Sequence, residues 1–372
     1  MEFDLNEDQI ILQDSIRKFF EKEVSKDLIR ESMINDKGYS PEIWKKMAEL
    51  GWMGILFEEE YGGFGGAFLD LAIIFEEMGR AAFISPFFAT IVLGSLLIQD
   101  HGSKKIKQSI LPGISDGSII STLAIFGKAG FYDKDELGLS AEAVDDGYVI
   151  NGSAFFVPYA HIADHMICVT KTSSGITLFI VDTKADGLEI ITLHTITGKA
   201  HDCVVNFKNV LISADKIVGE IDKGWEYMEA LFPKINTLLS CQCIGGMQEV
   251  LRFTLDHLNQ RVQFGKPLAA LQVVQHYCSD MFIKSETSRY PAYRAAWLIS
   301  DGLECKKDAS IAKSWCSEAY KDVTKIAHQV TGAIGFTDEY DLHLFSKQAK
   351  TIELLFGNGA FHRAVVADEM GL

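Results

Sequence analysis

The stretch RVQFGKPLAALQ, Arg261 to Gln272, interrupts a helical pattern and then lets it resume. Upstream, Val250, Leu251, Thr254, Leu255 and Leu258 recur at helical spacing. Gly265 and Pro267 then break the backbone ladder, and Leu268 restarts the apolar period. Such a break frees backbone N–H groups beside Arg261 and Lys266. A planar guanidinium fork with uncapped amides next to it suits a phosphate. The same residues also describe a plain corner between two helices, with Arg261 paired to a neighbouring carboxylate, and periodicity alone favours that plainer reading.

Working outward, the helical period that contains this stretch starts after Gly224-Trp225, at Met228, Leu231, Ile235 and Leu238, and persists almost to Leu372. Before it the chain reads differently. Between residues 116 and 220, short β-rich runs alternate with turn signals: YVI, the pair Asn151-Gly152, AFFV, HMICVT, ITLFIVDT and VVNF. That spacing predicts a small sandwich or barrel. The first segment is helical again. Asn6 is placed to cap a helix through Ile10, Leu12, Ile16 and Phe20; Ser40-Pro41 opens another, which Gly51 closes; apolar helices follow at Leu69–Met78 and Leu93–Leu97. The predicted organisation is an α-domain at 1–115, a β-domain at 116–220 and a helical bundle at 221–372.

Charge and cysteine usage exclude several function classes. The 372 residues carry 35 Lys and Arg against 51 Asp and Glu, a net charge of -16, which disfavours nucleic acid and anionic lipid as partners. Seven cysteines without a CxxC pair suit a reducing compartment, so a cytoplasmic protein is expected. The acidic opening MEFDLNEDQIILQD lacks the order of a targeting signal, and no apolar run nears the roughly 20 residues that span a bilayer. His161, His165 and His343 lie beside apolar runs and read as hydrogen-bonded core or surface residues, so no metal site is expected. The glycines of YGGFGG and TGAIG do not follow a strand and open a helix as a dinucleotide fingerprint does.

Five stretches in order resemble one family. FDLNEDQIILQDSIRKF, LGWMGILFEEEYGGFGG, DDGYVINGSAFFVPYAHIADHMICV, RVQFGKPLAALQVVQHYCSDM and HQVTGAIGFTDEYDLH are similar to the signatures of the acyl-CoA dehydrogenase flavoproteins. The resemblance implies a three-part fold of N-terminal α-domain, middle β-barrel or sandwich and C-terminal four-helix bundle. It also implies FAD held between subunits of a tetramer, an acyl-CoA substrate, and an electron-transferring flavoprotein as acceptor. By resemblance, Arg261, Phe264 and Gln272 contact the FAD of the neighbouring subunit, and Gln329 with Thr331, Gly332 and Ala333 reaches its adenosine end; Asn358 joins the cofactor-binding set.

Two stretches depart from the family. The loop that normally covers the flavin ring with small hydroxyl residues matches Phe126 to Asp133, placing Phe126 and Tyr132 where Thr and Ser are usual. Phe156-Val157-Pro158 replaces the hairpin's Trp-Ile-Thr, and Pro158 has no N–H to donate. The usual catalytic Glu position holds Phe356 and the alternative position holds Ile235, which leaves Glu353, or Glu339, as a weak candidate base. The losses fall on groups serving this chain's own flavin and substrate; the retained residues serve a neighbour. The sequence thus predicts the non-catalytic partner in an α2β2 dehydrogenase, with a bulky, steroid side-chain type of acyl-CoA as substrate. The alternatives are a self-sufficient homotetramer with an atypical base and a non-enzymatic scaffold of the same fold.

Overall fold

The computed structural model describes residues 5–130 and 133–372, apart from the side chain of Ala200. Helix α1 (Glu7–Glu23) starts where expected: Asn6 accepts from the Gln9 amide at 2.8 Å and the Gln9 side chain accepts from the Asn6 amide at 3.2 Å. Helices α2 (Lys26–Ile34) and α3 (Pro41–Glu49) follow, and Gly51, at φ 77°, ends α3 in the left-handed conformation open to glycine. Next come α4 (Phe68–Ala81), α5 (Leu96–His101) and α6 (Lys104–Ser115). The segment Phe88–Ser95 winds as a π-helix rather than the α-helix its sequence suggests. There Gly94 packs so closely that an added Cβ would stand 2.6 Å from the Ser121 side chain.

The β-rich region forms one sheet from β1 (Ser121–Ala124), β2 (Leu139–Val144), β3 (Gly147–Pro158), β4 (His165–Lys171), β5 (Ile176–Asp182), β6 (Leu188–Thr195), β7 (Gly198–Ile212) and β8 (Ile217–Val218). Strand order is β6-β7-β3-β2-β4-β5-β8, with β1 paired to β4. The β1–β4 and β2–β4 pairs are parallel; the other pairs are antiparallel. Alternate residues of these strands, among them Ile150, Ala154, Val157, Cys203 and Val205, enter one apolar core. Between Ala154 and Val157 the β3–β7 register shifts, a bulge containing Phe155 and Phe156.

The C-terminal helices are α7 (Gly224–Gln260), α8 (Gln272–Ser300), α9 (Lys306–Thr331), α10 (Leu342–Leu354) and α11 (Gly359–Glu369). A two-stranded hairpin, β9 (Val262–Gln263) and β10 (Lys266–Pro267), separates α7 from α8. The chain forms two compact units: residues up to Lys26 with Ala67–Phe83 and Pro233–Leu372, and Asp27–Gly66 with Ile84–Phe232. The first unit therefore takes α1 and α4 together with most of the C-terminal helices. Its interior is closed by glycine: a Cβ on Gly245 of α7 would stand 1.8 Å from the Glu76 carbonyl oxygen of α4. The fully buried Glu76 carboxylate accepts from Tyr293 and from Arg289, so its charge is both paired and hydrogen-bonded. All seven cysteines are free thiols.

Candidate functional site

The RVQFGKPLAALQ stretch folds into an arm. The Arg261 amide ends α7 by donating to His257, and the Leu268 amide then donates to the Arg261 carbonyl at 2.9 Å, closing the hairpin. Its tip holds Phe264 at φ 55° and Gly265 at φ 76°, the pair of positive φ values that a two-residue turn of this hand requires. The expected break with freed amides is thereby corrected: Gln263 pairs with Lys266, so part of that backbone is spent on the ladder. What the arm offers is side chains. Phe264 is 85% exposed, and Arg261 is exposed with no ion pair among the described residues. Gln272, the first residue of α8, is also exposed.

The end of α9 shapes a cavity of about 560 Å³ lined by Lys321, Lys325, His328, Gln329, Gly332, Ala333 and Phe336, among others. The His328 and Phe336 rings stack at 4.6 Å, and His328 Nε2 lies 3.1 Å from Ser346 Oγ. Burial lowers the pKa of His328, which keeps the ring neutral at pH 7. Gly332, at φ 67°, has no atom within 4 Å of where a Cβ would be, so its backbone is open to a ligand. Gln329 and Ala333 join it, as the sequence predicts. Thr331 does not: it is buried, and its hydroxyl donates to the Ala327 carbonyl at 2.8 Å. Asn358 is likewise committed, accepting from the Phe361 amide at 3.0 Å as the N-cap of α11.

The sheet residues at the departed positions carry rings and no free hydroxyl. Phe126 is buried and bridges Phe155, whose amide donates to the Phe126 carbonyl at 2.9 Å. Phe156 sits in the bulge at φ 54° with its ring 43% exposed. The nearby Thr122 hydroxyl is already used, donating to the Pro158 carbonyl at 2.6 Å. Tyr132 lies outside the described residues.

Neither base position holds an acid. Phe356 is buried at φ 56°, and Ile235 is fully buried beside Asn236 and Thr237, whose side-chain oxygens are buried without a hydrogen-bond partner among the described residues. The weak candidate Glu353 is corrected by its partners: Lys321 donates to one oxygen at 2.5 Å and Lys350 to the other at 2.7 Å. Burial alone would raise its pKa, but the two lysines outweigh burial and hold it below the ordinary value, the opposite of a base ready to take a proton. Sequence reasoning missed the cationic lining from Lys321 and Lys325. It also missed Lys313, whose place among Ala309, Ala312, Cys316 and Tyr320 on the apolar face of α9 was the available signal.

Two family models match the sequence: the acyl-CoA dehydrogenase N-terminal domain over residues 6–118 and the C-terminal domain over residues 222–371. The chain belongs to the acyl-CoA dehydrogenase family. It is 27% identical to a probable acyl-CoA dehydrogenase of Bacillus subtilis, YngJ, over 100% of both chains. The structure of butyryl-CoA dehydrogenase from Megasphaera elsdenii superposes with a TM-score of 0.92 at 25% identity, covering 100% of each chain. The FAD complex of PigA shares the fold, with a TM-score of 0.92 at 22% identity and 100% of each chain covered. The chain is thus an acyl-CoA dehydrogenase-type member of a family of CH–CH oxidoreductases that use FAD. Among the described residues no helix is long and apolar enough to cross a membrane, and no cluster could hold a metal ion.

The residues present fit FAD at one end. The cationic, ring-lined cavity with the open Gly332 backbone, and the exposed Arg261 and Phe264, offer what a pyrophosphate and an adenine need. The positions the family uses at the ring end do not fit: Phe126, Phe156 and Pro158 bring no side-chain donor.

Proposed function

We propose that this chain is the non-catalytic partner subunit of an α2β2 acyl-CoA dehydrogenase, in which it completes the FAD site of the other subunit. Its residues at 1–115, 116–220 and 221–372 form the three domains. Arg261 supplies a charged fork to the pyrophosphate and Phe264 a ring face to the adenine, while Gln272, Gln329, Gly332 and Ala333 bind around them. Thr331 and Asn358 act one step back, by holding the ends of α9 and α11. FAD, when bound, accepts the hydride from the acyl-CoA β-carbon. The α-proton goes to a carboxylate of the other subunit. The substrate is a bulky thioester of the steroid side-chain type, electrons leave to an electron-transferring flavoprotein, and the assembly works in the cytoplasm.

One observation carries this reading: the arm at Arg261–Phe264 is exposed, whereas the positions that by family resemblance hold a hydroxyl or a base carry Phe126, Pro158 and Phe356. The alternative of a self-sufficient homotetramer draws on the full-length match to dehydrogenases. Its weakness is the base, since Glu353 is held by two lysines. The two readings part when the chain is purified alone and with the product of a neighbouring dehydrogenase-like gene, and flavin content and acyl-CoA turnover are measured in each.

A further inference from the structure

Lys313 is a fully buried lysine that the proposed assembly does not use. Its Nζ lies 2.8 Å from the carbonyl oxygen of Gly357 and 3.5 Å from that of Glu353. These oxygens belong to the last turn of α10 and to the link into α11, where helix carbonyls lack partners within the helix. A donor at that end of a helix also meets the negative end of its dipole. Phe356 in the link is held against its preference at φ 56°, and Gly357 follows at φ 100°, a value open to glycine. A bulky residue at positive φ persists only where its surroundings hold it.

Two buried side chains hold it. His362 Nε2 lies 3.0 Å from the Phe356 carbonyl, and because a carbonyl only accepts, the ring proton is on Nε2. Nδ1 is then left to accept from Ser310 Oγ at 3.3 Å. Lys313 takes the next carbonyl along the chain, that of Gly357.

We propose that Lys313 is a positioning residue whose buried amine pins the Glu353–Gly357 turn, and with it the Phe356 ring, and that proton uptake by this amine biases the turn toward opening. The idea is a property of this chain alone and goes beyond the partner-subunit reading, whichever subunit binds FAD.

The sign follows from solvation. Burial pushes the Lys313 ammonium down from 10.5 to about 8, although Cys243, Glu353 and Cys316 pull the other way. In an opened turn the amine reaches water and regains its ordinary value. The opened form therefore binds more protons between those two values, so falling pH favours opening and the bias is complete below about pH 8. The other titratable groups bearing on Lys313 do not confuse this window. Burial holds the Cys243 thiol of α7 well above its ordinary value and pushes Cys316 of α9 up to about 12. Glu353 of α10 is held down by its lysines despite burial, and His362 of α11 is pushed down to about 4, first by burial and then by the Lys313 charge.

The test is hydrogen–deuterium exchange on the full chain without flavin, following peptides across residues 354–361 and correcting for the intrinsic pH dependence of exchange. The opening constant of the turn should fall about tenfold per pH unit between about pH 8 and pH 10, while peptides from α8 show no such slope. In Lys313→Met the slope disappears. In Lys313→Arg, which keeps its proton throughout, it also disappears. A wild-type turn whose opening is flat across this window overturns the proposal, as does a Lys313→Met chain that keeps the slope. Should Lys313→Met not fold, the wild-type profile decides by itself.

Discussion

Glu353 Oε1 stands 2.5 Å from Lys321 Nζ, and this pair removes the acid that the sequence offered as a base. With Lys350 on the other oxygen, the carboxylate stays charged well into acid. In the assembled enzyme Glu353→Gln should leave kcat within about twofold, because a positioned base contributes on the order of a hundredfold or more. Steady-state kinetics with an artificial electron acceptor check this.

Arg261 is exposed on the arm and has no ion pair among the described residues, so its removal costs the fold little: within about 0.5 kcal/mol by urea denaturation. Flavin retention by the two-subunit assembly should fall about tenfold or more in Arg261→Ala, the weight of a charge-assisted hydrogen bond. A titration of FAD into the apo-assembly measures it. Arg261→Lys should recover only part of the loss, since a point charge does not replace the planar fork.

Glu77 is buried, 1% exposed at its side chain, and accepts from Arg17 at 2.8 Å and from Arg80 at 2.9 Å. Glu77→Ala leaves the partly buried Arg17 guanidinium without its ion-pair partner and Arg80 with its longer ion pair to Glu76, at 3.6 Å. The expected loss is about 3 kcal/mol, read as a lower urea midpoint at unchanged slope.

His362 is buried and its pKa is pushed from 6.5 down to about 4, mainly by burial. Between those values the unfolded chain binds more protons than the folded one. The stability His362 contributes is therefore complete above about pH 6.5 and is lost as pH falls through about 4, a loss on the order of 3 kcal/mol. Denaturation midpoints measured from pH 7 to pH 4 should slope downward in the wild type and less steeply in His362→Asn.

Much of this was legible in the sequence for physical reasons. The Asn6 cap, the Pro41 start and the Gly51 stop are local signals, and local signals set helix ends. The Phe264-Gly265 turn was legible as a break and misread as a source of free amides, because cross-strand pairing of Gln263 with Lys266 depends on how the chain folds back. Thr331 and Asn358 carried the right residue types for a binding site, yet their side chains serve helix ends, a use sequence spacing does not separate from ligand contact. The lysines around Glu353 come from α9 and α10, 32 and 3 residues away in the chain, and only the nearer is visible to a local reading. Lys313 was visible as a cation on an apolar helix face, but its partners lie 40 and 44 residues further on.

The central claim is that this chain lends its arm to another subunit's FAD and does no chemistry of its own. Purifying the chain alone, and together with the product of a neighbouring dehydrogenase-like gene, and recording flavin absorbance and acyl-CoA dehydrogenation in both preparations tests it most directly. The account predicts a colourless, inactive chain alone and a yellow, active mixture. A chain that by itself retains FAD and turns over acyl-CoA at the rate of the mixture would contradict it.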